Sequence, residues 1–174
     1  MLSLLVEDKD LTIKDVDKNE LTKIIDWLSS DNSQQYKYAM GIDEPITARD
    51  LYEKYFEVLI NTHEFFLSIN LQGDLIGFVK GRTDYRNKGE IWLMSLLIDI
   101  TYQNKGIGTR VLKLVMNEFN EKFGIKDFYA CLVDNNISGE VFWRRNGFNI
   151  CRITKDYFTI DNKSCDLIIM YREL

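Results

Sequence analysis

One proline, one histidine and three cysteines are all that the 174 residues hold of three types that punctuate, ligate or cross-link a chain. The cysteines, Cys131, Cys151 and Cys165, are scattered, odd in number and form no C-x-x-C pair. They read as reduced thiols of a cytoplasmic protein, not as a disulfide framework. His63 has no Cys or His partner at ligand spacing, so no metal is expected. No apolar run approaches the ~20 residues needed to cross a bilayer. The opening "MLSLLVEDKD" lacks a basic leader stretch and turns acidic within a few positions, so neither a signal peptide nor a membrane partner is expected. Positive charge is also scarce. With 22 Lys and Arg against 27 Asp and Glu, the net charge is −5, and no basic stripe is left for a nucleic acid. Repeats, low-complexity tracts and linkers are missing too, which leaves a single domain over residues 1–174.

What is present is patterned. "LTIKDV" alternates as a short strand, and Asp17 with Glu20 three residues on has capping-box spacing ahead of a helix with an apolar face of Leu21, Ile24, Ile25 and Leu28. After a polar, irregular stretch containing Pro45, Thr47 caps a second helix. Residues 63–100 are strand-rich, with turns at Gln72-Gly73-Asp74 and Asn87-Lys88-Gly89. A long helix over 106–123 follows, with Ile107, Val111, Leu114, Val115 and Phe119 on one face and Gly124 at its end. A strand, a short helix closing at Gly147, and two further strands complete the order β-α-α-β-β-β-α-β-α-β-β. The expected fold is α/β: a mixed sheet with helices on both faces.

"YQNKGIGTR", residues 102–110, opens the long helix with two glycines. Glycine is costly inside a helix, so the placement needs a reason. A strand, a glycine turn and a helix aim free backbone N–H groups at an anion, and glycine lets the backbone approach phosphate oxygens. Residues 103–108 therefore read as a pyrophosphate cradle. The second Asn-Lys-Gly, at 87–89, lies between strands and supplies only a turn. A Walker A loop is absent, and a dinucleotide G-x-G-x-x-G needs glycine where Val111 stands. A ligand-free glycine start remains the alternative on the loop alone.

Context adds to this. "LLIDITYQNKGIGTRVLKLVM" resembles the acetyl-CoA motif Q/R-x-x-G-x-G/A of the GCN5-related N-acetyltransferase (GNAT) family, with Gln103, Gly106 and Gly108 in place. "NNISGEVFWRRNGF" resembles that family's next signature: Asn136, Gly147 and Phe148 match, Gly139 stands for the small residue, and Trp143 stands where tyrosine is usual. The order of elements matches along essentially the whole chain.

The resemblance implies an acetyl-CoA-dependent N-acetyltransferase, with acetyl-CoA as donor and a primary amine of a small molecule or of a protein or peptide N-terminus as acceptor. By position, Gln103, Asn104, Lys105, Gly106, Ile107, Gly108 and Thr109 would hold the pyrophosphate. Ile98 and Leu96 would pair with the pantetheine arm, and the Leu96 N–H would polarise the thioester carbonyl. Asn136 would bind the pantetheine side, or act as a plain N-cap. Lys105 and Arg110 are further phosphate candidates; Arg144 and Arg145 answer equally well to the helix dipole. Cys131 is the cysteine placed to lie near the thioester. The indole of Trp143 is no usable acid, so it is read as packing. Relatives often carry a carboxylate base on the strand face shared here by Glu90, Trp92 and Met94. Of the three only Glu90 can serve, or it is a solvated residue just after the turn; six residues put it roughly 20 Å from Leu96. Members that modify aminoglycosides commonly carry Asp where Met94 stands, which counts against that substrate. Tyr36, Tyr38, Tyr52, Tyr55, Phe56, Phe65 and Phe66, with Asp31, Asp43 and Glu44, would either wall a site for a cationic amine or be core. A homodimer is an admissible assembly. The alternative function is a non-catalytic CoA-binding or regulatory module with the same fold.

Overall fold

The structure is a computed structural model that describes residues 3–29, 47–84 and 89–174. The apolar runs of the sequence become strands β1 Leu5–Asp8, β2 Leu11–Asp15, β3 Glu64–Leu71, β4 Asp74–Thr83, β5 Glu90–Ile98, β6 Asp127–Val133, β7 Asn149–Ile160 and β8 Lys163–Glu173. The helices among the described residues are α1 Lys18–Ser29, α2 Ala48–Ile60, α3 Ile107–Phe123 and α4 Ile137–Arg145. All eight strands join one sheet in the order β1-β2-β3-β4-β5-β6-β8-β7. Only β5 and β6 are parallel, because α3 crosses between them.

The expected order lacked β1. Leu5–Asp8 pairs antiparallel with β2 across a turn at Lys9, whose φ is 54°. A four-residue strand shows too little alternation to be read against the acidic residues that follow it.

The helix ends follow their local chemistry. Asp17 Oδ1 accepts from Glu20 N at 3.0 Å while Glu20 Oε2 accepts from Asp17 N at 2.9 Å, a reciprocal cap. Thr47 and Asp50 repeat the device at α2. Gly124, in the left-handed region at φ 68°, closes α3.

Each face of the sheet carries its own core. Ile91 and Leu93 of β5 pack with Val111, Val115 and Phe119 of α3 and Trp143 of α4. On the other face Phe66, Phe78 and Leu97 pack under Leu21, Ile24 and Leu28 of α1 and Leu51 and Val58 of α2. Phe65, Phe66 and Tyr55 are therefore core, whereas Phe56 is exposed. Tyr36, Tyr38, Asp31, Asp43, Glu44, Pro45, Asn87 and Lys88 lie outside the described residues. No helix among the described residues is long and apolar enough to cross a membrane.

Candidate cofactor and acceptor site

β5 and β6 pair from Glu90–Asp127 to Leu93–Ala130 and then part. β6 continues on β8 to Val133, and β5 continues on β4 to Ile98, so the two neighbours diverge while each keeps its outer partner. The divergence begins at a bulge. Lys80 of β4 faces Ser95 and Gly81 faces Leu93, which leaves Met94 as the extra residue, 41% exposed. The bulge resets the alternation of β5: Ile91, Leu93, Leu96 and Ile98 lie toward α3, while Leu97 lies toward α1 and α2. The simple face of Glu90, Trp92 and Met94 expected from period 2 is therefore interrupted at Met94.

The gap widens into a cavity of about 520 Å³. Its walls are Ser95–Ile98 of β5, Cys131 and Leu132 of β6, the loop and first turn of α3, and the inner side of α4. Asp99 N donates to Ile76 O on β4 at 2.8 Å, and backbone groups alternate along a strand, so Leu96 and Ile98 turn theirs toward the gap. The Ile98 carbonyl is taken by Gln103 Nε2 at 2.7 Å. The sheet pairing leaves the Leu96 N–H pointing into the cavity, a donor available to an extended ligand arm.

The loop is shaped by backbone conformation. Asn104 and Gly106 adopt φ of 59° and 78°, and Gly106 is the N-cap of α3 with no side-chain cap bond. The first N–H groups of the helix are thus left for a ligand. Gly108 answers to space: a Cβ there would lie 3.1 Å from the ring of Phe142 on α4. Gln103, Asn104, Gly106, Gly108 and Thr109 line the cavity. Lys105 instead donates to Thr101 O at 2.8 Å and stands over the Tyr102 ring, and Ile107 leans on the core. Arg110, a phosphate candidate from sequence, is engaged elsewhere. Its Nε and Nη1 meet Asp8 and Asp10 at 2.7 Å, and Nη2 also bonds the Asp8 carbonyl.

Asn136 lines the cavity and also caps α4, accepting from Gly139 N at 2.9 Å. Trp143 is 6% exposed and makes edge-to-face contacts with Phe142 and Phe148 at 5.1 and 4.9 Å. It forms part of the cavity wall as a packed ring. Arg145 reaches the wall, whereas Arg144 pairs with Glu140 at 2.7 Å. Cys131 lines the cavity too, and burial pushes its thiol up to about 11. His63 Nδ1 sits 3.2 Å from Thr83 Oγ1.

Glu90 stands at the foot of β5, opposite Asp127, where β5 and β6 are still paired. It is not part of the cavity wall, and a one-residue bulge shortens its distance to Leu96 by only about 3 Å. No carboxylate or histidine is among the described residues that line the cavity. Ser138, Val141, Phe142 and Asn146 complete the α4 side of the wall and were not singled out from sequence. Their spacing with Gly139 and Trp143 is that of one helix face, the signal that reveals them.

A family model described as an acetyltransferase (GNAT) domain matches residues 13–169. The chain belongs to the GNAT family. The spermine/spermidine N(1)-acetyltransferase of Bacillus subtilis is 35% identical over 82 residues, covering 44% of this chain and 54% of that protein. The chain thus spans about half the length of that relative. Among solved structures, a Salmonella typhimurium acetyl transferase that modifies the N-terminal serine of a ribosomal protein superposes with a TM-score of 0.85 at 12% identity, covering 98% of this chain and 99% of that one. Spermidine N-acetyltransferase from Vibrio cholerae, solved with CoA and spermine, gives 0.80 at 17% identity over 95% and 96%. The GNAT fold accounts for the parted strands, the glycine loop and the α4 wall as one construction.

The pieces present fit an acetyl-CoA arm. An N–H faces the gap at Leu96, an uncapped helix start offers N–H groups beside two glycines, and an apolar wall flanks both.

Proposed function

We propose that the chain is an acetyl-CoA-dependent N-acetyltransferase acting on a primary amine. The observation that carries this reading is the gap between β5 and β6, with the Leu96 N–H at its edge and the uncapped start of α3 at its end. Gln103, Asn104, Gly106, Gly108 and Thr109 would hold the pyrophosphate, with Asn136 on the pantetheine side. Lys105 would lend charge from the loop, and Ile98 and Leu96 would line the arm. Acetyl-CoA would supply an activated acetyl thioester: an amide N–C bond replaces the C–S bond, one proton leaves the amine, and one reaches the CoA thiol. The Leu96 N–H is placed to stabilise negative charge on the carbonyl oxygen, the service an oxyanion hole performs. With no carboxylate or histidine among the described residues of the wall, we read the amine as entering neutral or releasing its proton to water.

Two acceptor classes are suggested by similar proteins: polyamines, by the B. subtilis and V. cholerae enzymes, and a polypeptide N-terminus, by the S. typhimurium enzyme. A second reading, a CoA-binding module without catalysis, is favoured by Trp143 in place of tyrosine and by the lack of a carboxylate or histidine among the described residues of the wall. A panel of amines incubated with acetyl-CoA, with release of free thiol as readout, tests both. Amine-dependent thiol release supports transfer; CoA binding without it supports the second reading.

A further inference from the structure

The cofactor cavity is walled on one side by the α3 loop and α4, and Ser95 and Leu97 carry its lining toward the other face of the sheet, which offers an approach for an amine. β4 sets what stands there. Phe78 belongs to the α1–α2 core and Val79 to the α3 core, so Lys80 turns back toward the α1–α2 face. It faces Ser95 in the β4–β5 register, while Val79 faces Leu96. Lys80 is therefore one register step from the N–H proposed to polarise the thioester, beside the bulge and the exposed Met94.

Its surroundings are unusual for a lysine. Lys80 is mostly buried, next to Phe66 on β3 and close to Lys54 and Glu57 of α2 and Glu64 of β3. No carboxylate among the described residues lies within ion-pair distance of it. Burial first, then the charge of Lys54, pull its amine below the usual lysine value, against the weaker opposing pull of Glu64 and Glu57. A largely buried ammonium with no carboxylate at ion-pair distance among the described residues is costly, and a lysine at a strand position that any apolar residue could fill needs a reason. Arg82, exposed and two residues further along β4, adds a second cation on the same face opposite Trp92.

Resting on the transferase reading, we infer that Lys80 is a specificity residue for an acceptor that carries a carboxylate a few atoms from its reacting amine. Such a group would complete the ion pair that the described residues leave open and orient the amine toward Leu96. A polyamine would meet a cation there instead and be disfavoured by like-charge repulsion. Two sources share this chemistry: a free amino acid, and a polypeptide N-terminus with an acidic residue near its first position.

The test compares kcat/KM with acetyl-CoA on four acceptors: free aspartate, a short peptide with Asp at its second position, the same peptide with Asn there, and spermidine. The wild type should prefer the Asp peptide over the Asn peptide by at least about tenfold, as a hydrogen bond to a charged group supplies. Lys80→Met should bring that ratio near one, chiefly through KM, and Lys80→Arg should retain most of it. Melting temperature and CoA binding confirm that the variants are folded. Turnover of aspartate as fast as the Asp peptide would assign the small-molecule source; turnover of the peptide alone would assign the polypeptide. A ratio unchanged in Lys80→Met, or spermidine as the best wild-type acceptor, would overturn the inference. A folded, CoA-binding wild type that acetylates none of the four would overturn this inference, while the amine panel decides the transferase reading separately.

Discussion

At Gly108 any side chain would begin 3.1 Å from the Phe142 ring, on the wall where the cofactor is proposed to lie. Gly108→Val should fold, because valine is no worse than glycine inside a helix. It should lose the stabilisation that CoA confers, about 2.7 kcal/mol at a hundred times Kd, measured as the ligand-induced shift in Tm. Trp143 packs between Phe142 and Phe148, so Trp143→Phe should cost about 1–2 kcal/mol of stability and keep most activity. Trp143→Tyr should not raise kcat tenfold; such a gain would show that protonation of the leaving thiol limits the rate. Glu90→Gln should leave kcat/KM within about threefold, since Glu90 stands outside the cavity. A larger fall with a displaced basic limb in the pH profile would reveal a proton path carried by water. Cys131 sets a pH dependence of known sign. Its thiol is raised from 9.0 to about 11, so the folded state holds that proton more tightly than the unfolded chain. Its contribution is full below pH 9 and is lost as pH climbs through 11. Comparing Tm of wild type and Cys131→Ala from pH 8 upward should show a shallower alkaline decline in the variant.

The elements behave as coupled parts. Gly139 sits under Asn136: a Cβ there would fall 2.6 Å from the Asn136 amide nitrogen. Gly139→Ala gains about 1 kcal/mol of helix propensity and forfeits a cap worth about the same, so stability should barely change. CoA affinity should nonetheless fall, because the displaced amide no longer faces the cavity, and calorimetry separates the two effects. Arg110 ties the start of α3 to the β1–β2 turn through Asp8 and Asp10. Its bond to Asp10 is the foremost cause holding that carboxyl below its ordinary value, so the clamp persists above that range and weakens as pH falls through it. These parts were unequally legible. The α3 glycine start, the Gly124 stop and both capping boxes are local signals between near neighbours, and they can be read directly. β1 is too short to show a period. The role of Arg110 depends on Asp8 and Asp10, a hundred positions away in the chain, and nothing in "GTRVLKLV" announces it.

At the scale of the whole molecule, a mixed sheet with helices on both faces followed from the alternation of strand and helix patterns, whereas the order of strands within the sheet did not. The position where β5 leaves β6 did not. It depends on a one-residue bulge at Met94, and no single residue there departs from strand chemistry. For the same reason period 2 carried the expected base to a face that the bulge interrupts, and nothing in "GFVKGRT" sets Lys80 apart from an ordinary strand lysine. The parted strands and the glycine loop are proposed to form one acetyl-CoA site. Calorimetric titration of acetyl-CoA into the wild type and into Gly108→Val tests it most directly. Saturable one-to-one binding is expected of the wild type and at least a hundredfold weaker binding of the variant, which still unfolds cooperatively without ligand. A wild type that binds nothing at millimolar acetyl-CoA, or a variant that binds equally well, would contradict it.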